Sequence, residues 1–209
     1  MNLLHVDSSI QRDASVSRAL SAAIVTEWRR TTPDLHVTYR DLDAEPVLHL
    51  DSPLLAAAYG AEANETTQAN AAMGTQALEE FLAADIVVVG APMYNFTVSS
   101  QLKTWLDRLA VAGKTFAYTE SGAQGLAGGK KVIVASSRGG IYSAGPMTAM
   151  DFQETYLRAM FGFFGIGDVS FVRAEGTMLG AEHKQQSIEA ALNAIPALVL
   201  EAGTALRAA

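Results

Sequence analysis

Ile86-Val87-Val88-Val89-Gly90-Ala91 constrains this chain more than any other segment. Apolar, mostly β-branched residues follow one another with no polar alternation. A strand with one wet face alternates, whereas a strand covered on both faces has no reason to. Such a strand needs helices on both sides of its sheet. Val132-Ile133-Val134-Ala135-Ser136 repeats the pattern, Leu3-Leu4-His5-Val6 is a shorter, mostly apolar run, and Val169 to Val172 reads as a last strand. Leu35 to Tyr39 alternates and reads as a less buried strand.

Helical stretches separate these strands. From Ser17 onward, Leu20, Ile24, Val25 and Trp28 recur three to four apart, and Pro33 stops the run. Ser52 is expected to cap a helix with Pro53 in its first turn. Gln68 to Ala83 has helical composition. Leu102, Trp105, Leu106 and Leu109 form one face of a helix that reaches Ala112 and ends at Gly113. Gln153 to Phe164 is helical and aromatic-rich. Lys184 to Leu206 is a last helix, in which Pro196 predicts a kink or a restart. Thr115 to Gly129 is rich in glycine and shows no period. The alternation predicts an α/β fold: a flavodoxin-like three-layer sandwich over residues 1–209 as one domain, with a five-stranded parallel sheet in the order 2-1-3-4-5.

In a sheet of that order ligands bind beyond the carboxyl ends of the strands, near the switch between the first and third. Three loops lie there: Ser8–Ser17, Pro92–Ser99 and Ser137–Gly140. In the first, Ser9, Ser15, Val16 and Ser17 surround a helix start, where free N–H groups and serine hydroxyls suit a phosphate. The plainer reading makes Ser15 or Ser17 an N-cap. There is no G-x-G-x-x-G and no G-x-x-x-x-G-K-[ST], so neither a Rossmann dinucleotide site nor a P-loop is expected. The gap between Ser9 and Ser15 suits a wrapped phosphomonoester. In the second, Pro92, Met93, Tyr94, Asn95 and Phe96 offer apolar faces and an amide to a planar ring; packing by Phe96 and an Asx turn at Asn95 are the alternatives. In the third, Ser137, Arg138, Gly139 and Gly140 can present backbone N–H groups to ring carbonyls and to negative charge that develops there. An ordinary turn with Arg138 exposed is the alternative.

Composition limits the chemistry. The chain has no cysteine, which removes disulfides, thiolate metal sites, iron–sulfur clusters and thiol nucleophiles. Redox chemistry would need a bound cofactor. The net charge of −7 makes a general attraction to nucleic acid or an anionic membrane unexpected. No contiguous apolar run approaches the ~18 residues of a membrane helix. The first residues read as a strand rather than a signal peptide, so the cytoplasm is the expected compartment. The four histidines follow no G-x-S-x-G elbow, and no clustered ligands suggest a metal.

Ser9…Ser15-Val16-Ser17, Ala91-Pro92-Met93-Tyr94-Asn95-Phe96, Gln101-Leu102-Lys103 and Ser137-Arg138-Gly139-Gly140-Ile141 together resemble the bacterial FMN-dependent NADH azoreductases, also described as FMN-dependent NADH:quinone oxidoreductases. The resemblance extends through Gly122…Gly125-Leu126, Gly128-Lys130-Lys131 and Ala174-Glu175-Gly176. It implies bound FMN, NADH as co-substrate with NADPH possible, and ping-pong hydride transfer to quinones and aromatic azo compounds. It implies a homodimer with the active site at the interface, and no catalytic side chain, because the flavin carries the hydride. Ser9 and Ser15–Ser17 would meet the phosphate, Met93–Phe96 the ring, and Ser137–Gly140 the pyrimidine side. Arg138 and its neighbouring N–H groups are expected to stabilise reduced flavin. Phe116, Tyr118, Phe161 and Phe163 are candidates for a substrate lid, with core packing the competing reading for Phe161 and Phe163. The alternative of another class is a flavodoxin-type electron carrier that does not oxidise NADH directly. Such carriers usually show a denser Thr/Ser-Gly phosphate loop and a strong acidic face, neither evident here.

Overall fold

The computed structural model describes residues 1–208. Five parallel strands build the central sheet: β1 (Asn2–Asp7), β2 (His36–Asp41), β3 (Ile86–Pro92), β6 (Lys131–Ser137) and β7 (Val169–Ala174). Their order is β2-β1-β3-β6-β7. A separate antiparallel pair, β4 (Phe116–Thr119) and β5 (Gly122–Gly125), falls between β3 and β6 in sequence, so the sheet has the expected 2-1-3-4-5 topology.

β3 is central and buried at all seven positions. Its two faces feed two cores. Val87 and Val89 join Leu4, Val6, Val132 and Val134 beneath α3 (Glu65–Ala83), α4 (Ser100–Leu109) and α5 (Phe152–Phe163), through Phe81, Trp105 and Phe161. Ile86 and Val88 join Leu3, Ile133 and Val172 beneath α1 (Val16–Thr31) and α6 (Ala181–Ala208), through Leu20, Trp28 and Ile195. At about 1.5–3 kcal/mol for each fully buried large apolar side chain, this two-sided burial explains the missing alternation.

Several boundaries differ from expectation for local reasons. The first helix begins at Val16, because Ser15 is its cap: the Ser15 hydroxyl accepts from the N–H of Arg18. The short helix α2 (Ser52–Ala58) is capped by Asp51 rather than Ser52, its carboxylate accepting from the N–H of Leu54. The glycine-rich stretch after α4 is a hairpin. It escaped periodicity because β5 is exposed at three of its four positions and packs through backbone. A Cβ on Gly125 would meet the Gly165 nitrogen at 2.0 Å, so these two segments can touch only as glycines. Pro196 lies inside α6, and the helix runs through it without restarting. Over Ala181–Leu206 that helix is long and apolar enough to cross a membrane, although interspersed polar residues leave no unbroken apolar run of that length. Its Ala191, Ile195, Val199 and Ala202 pack into the core shared with α1.

Candidate functional site

The carboxyl ends of β1, β3 and β6 are neighbours, so the three loops meet at one edge of the sheet. In the first loop the Ser8 hydroxyl and N–H both donate to the carbonyl of Gly90, tying it to β3. Ser9 Oγ lies 3.2 Å from Tyr94 Oη, and Ser15 Oγ lies 3.1 Å from Ser17 Oγ. Ser9, Ser15 and Ser17 are buried. The N–H groups of Val16 and Ser17, the first two of α1, have no partner among the described residues. Unpaired donors and hydroxyls at a helix start are groups that could cradle an anion. Arg18 holds it closed. Its Nη2 donates to the Ser9 carbonyl at 2.9 Å and to Asp41 at 2.6 Å, and its Nη1 makes a second bond to Asp41 at 2.6 Å. Those bonds hold the Asp41 carboxyl below the usual carboxylate range and push the guanidinium up. Sequence reading missed this clamp. Arg18 looks like any polar helix residue until the fold brings the end of β2 beside it.

In the second loop Pro92 is buried and ends β3, while Met93 and Tyr94 are half-buried. The N–H of Met93 donates to the carbonyl of Ser137, joining the second loop to the third. Tyr94 and Thr97 exchange backbone hydrogen bonds of 2.9 and 3.1 Å across a two-residue turn. Asn95 and Phe96 at its centre have φ of 49° and 73°. Two central residues with positive φ are the pattern of a type I′ turn, which favours Asn and then Gly. Phe at the second position is strained, and it is exposed, with its ring edge towards Tyr142 at 6.3 Å between centroids. Strain of this kind collects at functional sites.

The third loop corrects one expectation. The Arg138 side chain is not available to a ligand, since only 1% of the residue is exposed. Its Nε donates to Ser136 and Gln153, its Nη1 meets Asp151 at 3.0 Å and Glu175 at 3.1 Å, and its Nη2 donates to Glu154. A buried guanidinium survives only by such saturation. What the loop offers instead is backbone. The carbonyls of Arg138, Gly139 and Gly140 accept from the N–H groups of Thr177, Met178 and Gly176. In a trans peptide the following N–H points the opposite way. The N–H groups of Gly139, Gly140 and Ile141 therefore turn away from that segment, and none has a partner among the described residues.

Residues 1–199 match the family described as the flavodoxin-like fold. The chain belongs to that family. A relative from Sinorhizobium medicae, named an FMN-dependent NADH:quinone oxidoreductase, is 59% identical over 189 residues, covering 90% of this chain and 92% of the relative. The solved azoreductase from Bacillus anthracis str. Sterne superposes with a TM-score of 0.86 at 30% identity, covering 95% of this chain and 98% of that one. The FMN-dependent NADH-azoreductase from Bacillus anthracis str. Ames Ancestor, solved in complex with FMN, superposes with a TM-score of 0.85 at 27% identity, covering 95% and 100%.

In this flavodoxin-like chain a cleft of about 770 Å³ runs beside the second loop, lined by Ile10, Met93, Tyr94, Asn95, Lys103 and Tyr156 among others. The Tyr156 hydroxyl is buried there without a partner among the described residues, and burial, with the charge of Asp107, pushes it up to about 12. The four aromatic lid candidates separate. Phe161 is fully buried in the core and is not a lid residue. Phe116 is buried too and packs edge-on against Tyr118. Phe163 is half-buried beside Phe116, with ring centroids 4.5 Å apart. Tyr118, on the hairpin and 78% exposed, is the one whose ring is free to meet another molecule.

Proposed function

We propose that this chain is a single FMN-binding domain that takes hydride from NADH and reduces quinones to hydroquinones and azo compounds to amines. One observation carries the reading. Two sets of unpaired backbone donors, Val16–Ser17 and Gly139–Ile141, flank the Met93–Phe96 turn on adjacent strand ends. Their chemistry fits the two anionic or acceptor-rich parts of FMN, a terminal phosphate and a ring edge of carbonyls. The names of the relatives from Sinorhizobium medicae and Bacillus anthracis support the same cofactor, donor and acceptors.

Bound FMN would supply the two-electron chemistry that a cysteine-free chain lacks. The chain's own residues do the rest. Ser9, Ser15 and Ser17 hold the phosphate, and Arg18 keeps their loop shut. Met93, Tyr94 and Phe96 offer apolar surface to the ring, while the N–H groups of Gly139 to Ile141 meet negative charge at its pyrimidine edge. Turnover is ping-pong, with nicotinamide and acceptor using one open face in succession. The unit is a homodimer in which the partner's hairpin, carrying Tyr118, completes that face, with Phe163 behind it. An intracellular reductant such as NADH points to work in the cytoplasm.

The test is anaerobic addition of NADH, and separately NADPH, to the FMN-loaded protein, followed by a quinone. Bleaching of the flavin band by NADH and recovery with quinone support the reading. A band that persists with both nicotinamides refutes it in favour of an electron carrier.

A further inference from the structure

We infer that Arg138 and Glu175 are positioning residues that set the reduction potential of the bound flavin by fixing the aim of the Gly139–Ile141 N–H groups. The inference rests on the proposed FMN site. It begins with the segment Ala174–Met178, which leaves the end of β7 and runs beside the third loop as a strap. Four backbone bonds join the two: Arg138 N–H to the Ala174 carbonyl, and the carbonyls of Arg138, Gly139 and Gly140 to the N–H groups of Thr177, Met178 and Gly176. The Thr177 hydroxyl adds a fifth contact, to the Arg138 carbonyl. The strap thus occupies the carbonyls of Arg138, Gly139 and Gly140 on one side and leaves the N–H groups of Gly139, Gly140 and Ile141 on the other.

Glu175 locks the far end. Its Oε1 accepts from the N–H groups of Tyr142 and Ser143 at 2.9 and 3.0 Å, and its Oε2 accepts from the Ser143 hydroxyl. The same Oε1 receives Arg138 Nη1. One carboxylate therefore ties residues 142–143 to the guanidinium rooted at 138, with the three free donors between them. The cluster holds two guanidiniums, Arg138 and Arg173, against three carboxylates, Asp151, Glu154 and Glu175. Its formal charge is −1, the wrong sign to stabilise anionic flavin through space. Any stabilisation must come from the donors that the cluster aims.

That conflict of sign makes the test decisive. Glu175→Gln removes a negative charge, which through space would raise the potential. If the carboxylate acts by aiming donors, the same change lowers it. The measurement is dye-equilibrated potentiometry on the FMN-loaded protein, with FMN affinity and the thermal midpoint read alongside. The expected result is about a tenfold loss of preference for reduced over oxidised flavin, a fall of about 30 mV for a two-electron couple. Arg138→Lys keeps the charge but not the fork, so it is expected to shift the potential in the same direction. If neither of these folds, Thr177→Val removes only the hydroxyl contact to the Arg138 carbonyl and should give a smaller fall. An unchanged or raised potential in a flavin-loaded variant overturns the inference and leaves the proposed function standing. Failure of the unaltered protein to bind FMN overturns both.

Discussion

Asp7 Oδ1 occupies the space in which a side chain at Gly90 would begin: a Cβ built on Gly90 meets it at 2.1 Å. Asp7 and Gly90 are paired across β1 and β3, just before the loops that form the candidate site. The same Asp7 accepts from Ser21 at 2.7 Å and from Tyr39 at 3.1 Å. Gly90 is thus required by a buried carboxylate rather than by backbone freedom. Gly90→Ala is expected to push Asp7 off these partners and destabilise the fold by about 1–3 kcal/mol, read as a lowered denaturant midpoint. An unchanged midpoint would mean that Asp7 can turn elsewhere at no cost.

Arg18 closes the proposed phosphate loop from outside it. Arg18→Ala removes the donors to the Ser9 carbonyl and leaves Asp41, itself only partly exposed, without its cation. The expected cost is about 2–3 kcal/mol, reduced from the fully buried case by solvent screening. FMN affinity should fall about tenfold, while riboflavin, which lacks the phosphate, should be affected much less. Equal losses for both ligands would contradict a phosphate role for this loop.

Phe96 holds a left-handed conformation that a bulky residue adopts at a cost of about 1–2 kcal/mol. Phe96→Gly should relieve it and raise the thermal midpoint of the flavin-free protein, while weakening FMN binding through loss of the ring. Phe96→Ala keeps the strained backbone and loses the ring, so it should weaken binding with no gain in stability. A Gly variant no more stable than the Ala variant would show that the turn is not strained.

Stability should fall at both ends of the pH range, for opposite reasons. Arg18 holds the Asp41 carboxyl down. Burial pushes Glu175 up, but hydrogen bonds from Ser143 and the Tyr142 N–H, with the Arg138 charge, outweigh it and leave that carboxyl below its usual range. Depressed carboxyls contribute stability above their unfolded pKa, which is lost as pH drops through the folded value. Tyr39 moves the other way: burial and the charges of Asp7 and Asp41 push it up to about 12. Its contribution is complete below the unfolded value near ~10 and disappears as pH rises towards the folded one. The thermal midpoint should therefore decline below about pH 4 and above about pH 10. Tyr39→Phe should lessen the alkaline decline, leaving the share that Tyr156, also pushed up to about 12, contributes, and spare the acid one.

Local pattern carried much of this protein. The unbroken β-branched run at Ile86–Val89 demanded cover on both faces, and a parallel sheet with helices on each side is the arrangement that provides it. The serines before α1, the Pro92–Phe96 segment and the Arg138–Gly140 loop could be placed at one sheet edge because strand order follows from strand-helix alternation. Tertiary structure decided which atoms of those loops are free. Arg138 reads as a surface cation, yet three carboxylates from Asp151, Glu154 and Glu175 draw it inward. The last of these lies 37 residues away in sequence. Phe161 and Tyr118 are both aromatics that the sequence offers for a lid, and only packing sends one to the core and the other to solvent. Propensity and periodicity act over a few residues. A side chain's direction, and the partner that satisfies a buried charge, depend on contacts that exist only once distant segments have met.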